Sequence, residues 1–136
     1  MRLPIALLFI VLAGCPPKDD PPPDPKLQAD GLYIAGTAAY MKGEFKQAHE
    51  HYAEVKKFNP TDPRLPAAQG EVYLAEVKLD EALKSFEEAL KLEPKRATTW
   101  SRIGFIHSLK GRPKEAKEAL SKALEFNPKA KSSKKK

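Results

Sequence analysis

Apolar residues between positions 27 and 126 return every three or four residues, which is the spacing of one side of an α-helix. Short polar or proline-containing breaks divide this pattern into six stretches. The first, third and fifth stretches predict helices over 27–42, 67–76 and 97–110. The second, fourth and sixth predict helices over 45–58, 79–92 and 113–126. The predicted fold class is therefore all-α.

The six stretches form three pairs, because small residues and prolines return with a period of 34 residues. Small residues at fixed places let paired helices approach closely, and each proline ends its unit by removing a backbone donor. The sequence therefore predicts three stacked helix hairpins over 29–62, 63–96 and 97–130, within a domain of residues 27–130. The recurring positions are Gly36, Gly70 and Gly104, then Ala48, Ala82 and Ala116, then Pro60, Pro94 and Pro128.

The ends of the helices also carry signals. Asp24-Pro25 and Asp62-Pro63 each combine a capping acceptor with a proline for the first turn. Glycine follows the first helix of the outer units, where a turn with positive φ suits it. Val77 holds that place in the middle unit, so we expect either a turn of another shape or strain of about 1–2 kcal/mol.

These columns resemble the tetratricopeptide repeat. The third unit carries the pattern of that family in Trp100, Gly104, Ala116 and Pro128, and the other two units carry it in the equivalent columns. The resemblance implies a short right-handed superhelix, a helix-hairpin solenoid of three repeats. It also implies that the first helices line a concave face which docks other proteins.

The N-terminus resembles that of a bacterial lipoprotein. Arg2 precedes an apolar run of eleven residues, which has the length of a secretory signal and is shorter than the roughly 20 residues of a membrane span. Leu12-Ala13-Gly14-Cys15 resembles a lipobox. Residues 1–14 are thus predicted as a signal peptide, and acylated Cys15 as the membrane anchor. The resemblance implies the bacterial envelope, and Pro16 favours the outer membrane, facing the periplasm.

Residues 15–26 are predicted as the anchor and its spacer. Six of the eleven residues from 16 to 26 are proline, which favours the extended polyproline II helix. At about 3.1 Å per residue, this segment holds the domain roughly 30 Å from the lipid.

The formal charge of +6 is concentrated in a tail. Five lysines lie in the last eight residues, whereas residues 15–128 hold 18 basic and 18 acidic side chains. The tail, 131–136, is open to three interpretations: a solubilising end, attraction to anionic lipid or cell wall, and covalent linkage of Lys136 to peptidoglycan. Because the chain is predicted to be exported, we expect no nucleic-acid partner.

The sequence favours a non-catalytic protein without a cofactor or a metal. No phosphate-binding loop, zinc-protease motif or nucleophile elbow occurs. His49 and His51 lie two apart on a predicted helix, so they point to different sides and cannot share a metal. His107 falls in a core column, where we expect a packed histidine with satisfied hydrogen bonds.

A second stripe on the first helices, about 100° from the core stripe, faces the groove in the resembling family. Its aromatic, aliphatic and small polar residues suit an extended or helical peptide with apolar anchors. The clamp for chaperone C-termini needs several basic residues, and only Arg102 is near, so that activity is not carried over. The alternative is that these residues only cover the core. The predicted site is Tyr33, Thr37, Tyr40, Met41, Ala67, Glu71, Leu74, Thr98, Ser101, Arg102, Phe105 and Ser108.

The last helix lacks the polar closing element that repeat arrays need. Leu120, Leu124 and Phe126 are expected to leave an apolar strip on residues 113–126, covered by a second copy or a partner's helix. The favoured function is a membrane-anchored docking scaffold that resembles small envelope-assembly lipoproteins such as pilotins. The alternative is an electrostatic or cell-wall tether that acts through the lysine-rich tail.

Overall fold

A computed structural model describes residues 22–127 and residue 129. These residues form six α-helices and no strand. The second helix of every pair has the predicted bounds, and α3 begins two residues earlier than predicted. The helices are α1 (Pro25–Met41), α2 (Phe45–Phe58), α3 (Leu65–Ala75), α4 (Leu79–Leu92), α5 (Ala97–Leu109) and α6 (Pro113–Phe126).

The helices pack as three hairpins, α1 with α2, α3 with α4 and α5 with α6. The repeated glycines allow this packing. A Cβ atom at Gly36 would lie 2.6 Å from the Tyr52 ring, and one at Gly70 would lie 2.8 Å from the Phe86 ring. At Gly104 the distance to the side chain of Leu120 would be 2.7 Å. The predicted close approach at the glycine column is thus present in all three units.

Two core clusters join the hairpins into one stack. Each cluster contains buried residues of one hairpin and of the next hairpin along the chain, so neighbouring hairpins share a core. This sharing is what makes the three units a solenoid. The first cluster is Ala29, Ala39, Ala48, Tyr52, Val55, Leu65 and Val72, and the second is Ala82, Phe86, Ile103, Ile106 and Ala119.

The two predicted helix starts differ in the structure. The Asp24 side chain accepts a hydrogen bond from the Lys26 N–H at 2.9 Å and caps α1, as predicted. Asp62 accepts from the Arg64 N–H at 3.0 Å, but α3 begins only at Leu65. Asp62 therefore caps the turn that leads into α3. This turn leaves Pro66 in the first turn of the helix, where no N–H is needed.

The turn within each of the three hairpins contains one residue in the left-handed backbone conformation, at the equivalent position. The φ angle is +78° at Gly43, +62° at Val77 and +67° at Gly111. In each turn the N–H of this residue bonds to the carbonyl three residues earlier, at 2.9–3.1 Å. The middle turn therefore keeps the shape of its neighbours, and Val77 bears the strain of a β-branched residue in that conformation.

We expect Val77→Gly to raise the free energy of unfolding by about 1 kcal/mol and the Tm by roughly 4–8 °C. The side chain is 73% exposed, so its removal costs little burial. Thermal and urea unfolding measure the change. Gly111→Val is the reciprocal control and should destabilise by a similar amount. A Val77→Gly protein no more stable than the original would show that the turn relaxes without strain.

None of the helices in residues 22–127 is long and apolar enough to cross a membrane. The predicted signal peptide, the predicted lipidation site Cys15, the predicted spacer up to Pro21 and the tail from residue 130 lie outside the described residues.

Candidate functional site

The first helices α1, α3 and α5 share one side of the stack, and a shallow depression of about 140 Å³ lies between them. Its lining comes from these helices, from the residues that precede α3 and α5, and from Phe86 of α4. It combines small side chains with three arginines. The lining is Tyr33, Arg64, Ala67, Ala68, Glu71, Phe86, Arg96, Thr98, Thr99 and Arg102.

Arg64 organises the end of the depression next to α1. Its guanidinium binds the buried Asp62 carboxylate through Nε at 2.9 Å and Nη2 at 2.6 Å, and Asp30 on α1 at 2.5 Å. It also lies 4.5 Å from the centroid of the Tyr33 ring, within cation–π range. The Arg64 hydrogen bonds hold the pKa of Asp62 below its ordinary value. Arg64 therefore links the turn before α3 to α1.

The opposite end is closed by an ion pair between α3 and α5. Glu71 accepts a hydrogen bond from Arg102 Nε at 2.7 Å, and both side chains remain partly exposed. Arg96, just before α5, pairs with Glu93 at 3.0 Å. Every arginine that lines the depression thus has an acidic partner. The surface presents planar guanidinium groups with nearly balanced charge.

Sequence reasoning singled out Arg102 and missed Arg64 and Arg96. Both lie directly before a first helix, outside the helical stripe on which the prediction was based. The signal that could have found them is their place shortly after Pro60 and Pro94, because the residues at the start of successive units lie at one edge of the stack. The period marks that edge, but the two arginines themselves do not repeat with it.

The predicted residues of α1 divide between the surface and the first core. The Tyr33 ring lies 5.7 Å from the Tyr52 ring. Thr37 Oγ1 donates to the Tyr33 carbonyl at 2.9 Å and lies 3.2 Å from Tyr52 Oη, whose pKa is raised by burial. Tyr40 packs against Phe45 beside the first turn, with ring centroids 6.4 Å apart. These side chains hold α1 to α2, and only their outer parts are open to a ligand.

Five of the predicted residues line the depression, namely Tyr33, Ala67, Glu71, Thr98 and Arg102, and the other seven do not. Two of those seven, Met41 and Leu74, belong to other parts of the structure. Met41 is exposed at the end of α1, seven residues after the exposed Ile34 and on the same side of the helix. Leu74 is half-buried and packs against the second core cluster. A stripe defined only by its position about 100° from the core stripe was too coarse to separate these residues from Tyr33 and Glu71.

The predicted residues of α5 form the most open part of the site. Phe105 is 49% exposed, and it lies three residues after Arg102 and four after the exposed Ser101, on one side of the helix. Ser108 Oγ donates to the Gly104 carbonyl at 3.1 Å. α5 therefore presents an aromatic ring next to a guanidinium. Whether any of these residues binds a partner stays a prediction.

His49 and His107 contact or pack among neighbouring side chains of the fold. His49 Nε2 lies 2.7 Å from a Glu76 carboxylate oxygen, and its ring packs against Tyr73 at 4.7 Å. The hydrogen bond with His49 lowers the pKa of Glu76. His107 is packed as predicted, but its buried Nδ1 has no hydrogen-bond partner in the described part of the chain. Within residues 22–127, no group of three or more His, Cys, Asp and Glu side chains is placed to hold a metal.

The geometry agrees with comparisons to known proteins. The family model for the tetratricopeptide repeat matches residues 73–134. A curated relative, the small glutamine-rich tetratricopeptide repeat-containing protein 2 of Saccharomyces cerevisiae, is 30% identical over 110 residues. The match covers 81% of this chain and 31% of the yeast protein. The chain thus spans about a third, or less, of the length of the curated relatives it matches.

Solved structures decide the architecture. A crystal structure of MamA superposes with a TM-score of 0.70 at 26% identity, covering 79% of this chain and 61% of MamA. The fold is a tetratricopeptide-repeat solenoid. The second tetratricopeptide-repeat domain of Spaghetti (RPAP3), solved with the HSP90 peptide SRMEEVD, has a TM-score of 0.68 at 25% identity. That match covers 75% of this chain and 94% of the Spaghetti domain. The prediction of an all-α solenoid of helix hairpins is therefore confirmed. Tetratricopeptide-repeat proteins mediate protein–protein interactions.

Proposed function

We propose that this tetratricopeptide-repeat chain is a non-catalytic docking module, and that the surface of α1, α3 and α5 binds a segment of a partner protein. The observation that carries the proposal is the exposed Phe105 on α5, one helical turn after Arg102, which lines the depression. An exposed aromatic ring and a planar cation are the side chains that most often supply binding energy at protein interfaces. A related domain solved with a bound peptide supports the same use of the fold.

The expected ligand is an extended or helical segment with an apolar side chain for Phe105 and polar groups for the Arg102–Glu71 pair. The arginines are already neutralised by Asp30, Asp62, Glu71 and Glu93. A strongly acidic peptide would have to displace these carboxylates, so we do not extend the HSP90 peptide of the related domain to this chain. A segment of mixed charge fits the surface better.

The proposal places the module at a bacterial membrane, in the assembly of envelope structures. Its support is the lipobox-like Leu12-Ala13-Gly14-Cys15 and the proline-rich segment after it. α1 begins at Pro25, two residues before the predicted end of the spacer, so Pro25 and Lys26 belong to the folded domain, which follows directly on Asp24. We infer an acyl chain on Cys15 that holds the protein to the outer membrane, facing the periplasm. A Cys15→Ser protein that fractionates with membranes as fully as the original would contradict the anchor.

The exposed α6 residues give the proposal a second contact surface. Leu120 and Leu124 are exposed, whereas Tyr52 and Phe86, which are equivalent to Leu120, are buried. We infer that a helix of the partner, or a second copy, covers this strip.

The lysine-rich tail gives the second candidate function, a tether to anionic lipid or cell wall. The lysines at 129–136 favour it, because the rest of the mature chain is charge-balanced.

Phe105→Ala should lower capture of the bound protein at least tenfold in a crosslinking pull-down from the native envelope. Phe58→Ala is the matched control, because Phe58 is 41% exposed on α2, away from the depression. Capture should survive moderate salt and removal of residues 129–136, since tail contacts weaken steeply as salt screens them. Capture that depends on the tail and not on Phe105 would replace docking with the tether. Circular dichroism of each variant verifies the fold.

A further inference from the structure

One side of α1 carries an exposed apolar stripe that the docking surface does not use. The five residues are spaced four, three, four and three apart, which is the heptad spacing of a helix–helix contact. Leu27, Ile34 and Met41 are 69%, 69% and 80% exposed. Gly31 and Ala38 lie between them, and a Cβ atom at Gly31 would have no neighbour within 4 Å. We name this set the α1 stripe: Leu27, Gly31, Ile34, Ala38 and Met41.

Two of the five stripe positions are buried by the preceding hairpin in the later units. The residues equivalent to Gly31 are Leu65, 4% exposed, and Thr99, 2% exposed, and those equivalent to Ala38 are Val72 and Ile106, both 0% exposed. The positions equivalent to Leu27, Ile34 and Met41 are not buried there, and they hold Thr61, Ala68, Ala75, Lys95, Arg102 and Leu109. In the first unit, nothing in the described part of the chain covers the Gly31 and Ala38 positions, and the three positions beside them carry large, exposed apolar side chains. The α1 stripe therefore combines an uncovered helix contact with exposed apolar side chains.

We propose that a second copy of this chain covers the α1 stripe, with its own α1 running antiparallel. Large residues hold one heptad position of the stripe and small residues the other. Antiparallel pairing sets these two positions opposite each other, so Ile34 of each copy fits over Gly31 or Ala38 of the other. Parallel pairing would set glycine against glycine and large against large, which leaves gaps.

A head-to-tail arrangement fits less well. If α1 docked on α5 and α6 of another copy as α3 docks on the first hairpin, Gly31 and Ala38 would take the places of Leu65 and Val72. Both replacements leave the space of a lost side chain unfilled, which destabilises a packed contact. The size pattern of the stripe therefore selects a symmetric pair over a filament.

Charge and size set the strength of the pair. The stripe holds no charged residue, and neighbouring Asp30 is already bound to Arg64. α1 has 17 residues and is about 25 Å long, so two such helices bury less than the roughly 1,200–2,000 Å² of a standard interface. We therefore expect a weak, reversible dimer. Tyr33 and Phe105 lie off the stripe, so the dimer leaves the docking surface open and does not rest on the proposed function.

Residues 22–136 contain all six helices and no cysteine, which suits them to the test. Sedimentation equilibrium should show a reversible dimer. Ile34→Glu should raise the dissociation constant at least tenfold, while Leu92→Glu, at an exposed position of α4 outside both proposed contact surfaces, leaves it unchanged. A monomer at 200 µM, or a dimer lost with Leu124→Glu on the α6 strip and kept with Ile34→Glu, would overturn the proposal. Circular dichroism verifies that each variant folds.

Thiol crosslinking tests the direction of the pair. With Ile34 seated over Gly31 or Ala38 of the other copy, the two Ile34 residues are offset by about 4.5–6 Å along the helix axis, which is too far for a direct disulfide. A bifunctional maleimide with a short spacer should therefore link Ile34→Cys into a dimer. Leu27 would lie about 16 Å or more from its copy, so Leu27→Cys should stay monomeric under the same conditions. Efficient linkage of Leu27→Cys would indicate a parallel pair. Linkage of neither variant would indicate a different occupant, such as the apolar run at residues 3–13 or a partner's helix. Both results reject the antiparallel dimer.

Discussion

Gly70→Val is expected to lower the free energy of unfolding by about 3 kcal/mol, because the added carbons have no room between α3 and α4. A Cβ atom there would lie 2.8–2.9 Å from three atoms of the Phe86 ring. That ring is 1% exposed and is held by the second core cluster, so it cannot move aside. The Tm should fall by roughly 12–24 °C, measured by thermal unfolding alongside urea titration.

Gly104→Val is the control, because it makes the same substitution at the equivalent position of another helix and so has the same change in helix propensity. The clash there is with Leu120, which is 41% exposed and can turn toward solvent. We therefore expect a loss of about 1 kcal/mol, well below that at Gly70. Phe86→Leu in the Gly70→Val background should recover part of the loss, because it frees space against the new side chain. Equal losses at the two glycines would show that packing against the ring does not set the cost.

The fold could be predicted from the sequence because the contacts within each hairpin repeat. Gly36 meets Tyr52, Gly70 meets Phe86 and Gly104 meets Leu120, so both partners of each contact return every 34 residues. The same repetition gave the bounds of the second helices. It failed at the start of α3, where the Asp62 turn sets the first residue and Pro66 fits inside the helix.

The candidate site was predicted less well, because its contacts join different units through residues that do not repeat. Arg64 reaches Asp30 on α1, yet the residue equivalent to Arg64 in the third unit is Thr98. Leu74 turned into the second core, although its helical position resembles that of Tyr40. Contacts between units depend on the angle between neighbouring hairpins. The spacing of residues in one sequence does not determine that angle.

Arg64→Met should lower the free energy of unfolding by about 2–3 kcal/mol at pH 7. The substitution keeps most of the apolar stem but removes the guanidinium that neutralises the buried Asp62 carboxylate. A buried charge left without its partner costs more than the pair contributed, and the partial exposure of Arg64 moderates the loss. The surface pair with Asp30 adds little. Urea unfolding at pH 7 measures the change.

The pH dependence separates this mechanism from lost packing. Arg64 holds the pKa of Asp62 below its ordinary value near 4, so the stabilisation is complete above that value and is lost as pH falls through the folded-state pKa. In Arg64→Met, burial instead raises the pKa of Asp62, and protonation relieves the unpaired charge. The two proteins should therefore differ most near pH 7 and converge toward pH 3. Asp62→Asn combined with Arg64→Met should lose less than Arg64→Met alone at pH 7. A deficit that stays constant from pH 7 to pH 3 would assign the loss to the contacts of the Arg64 stem.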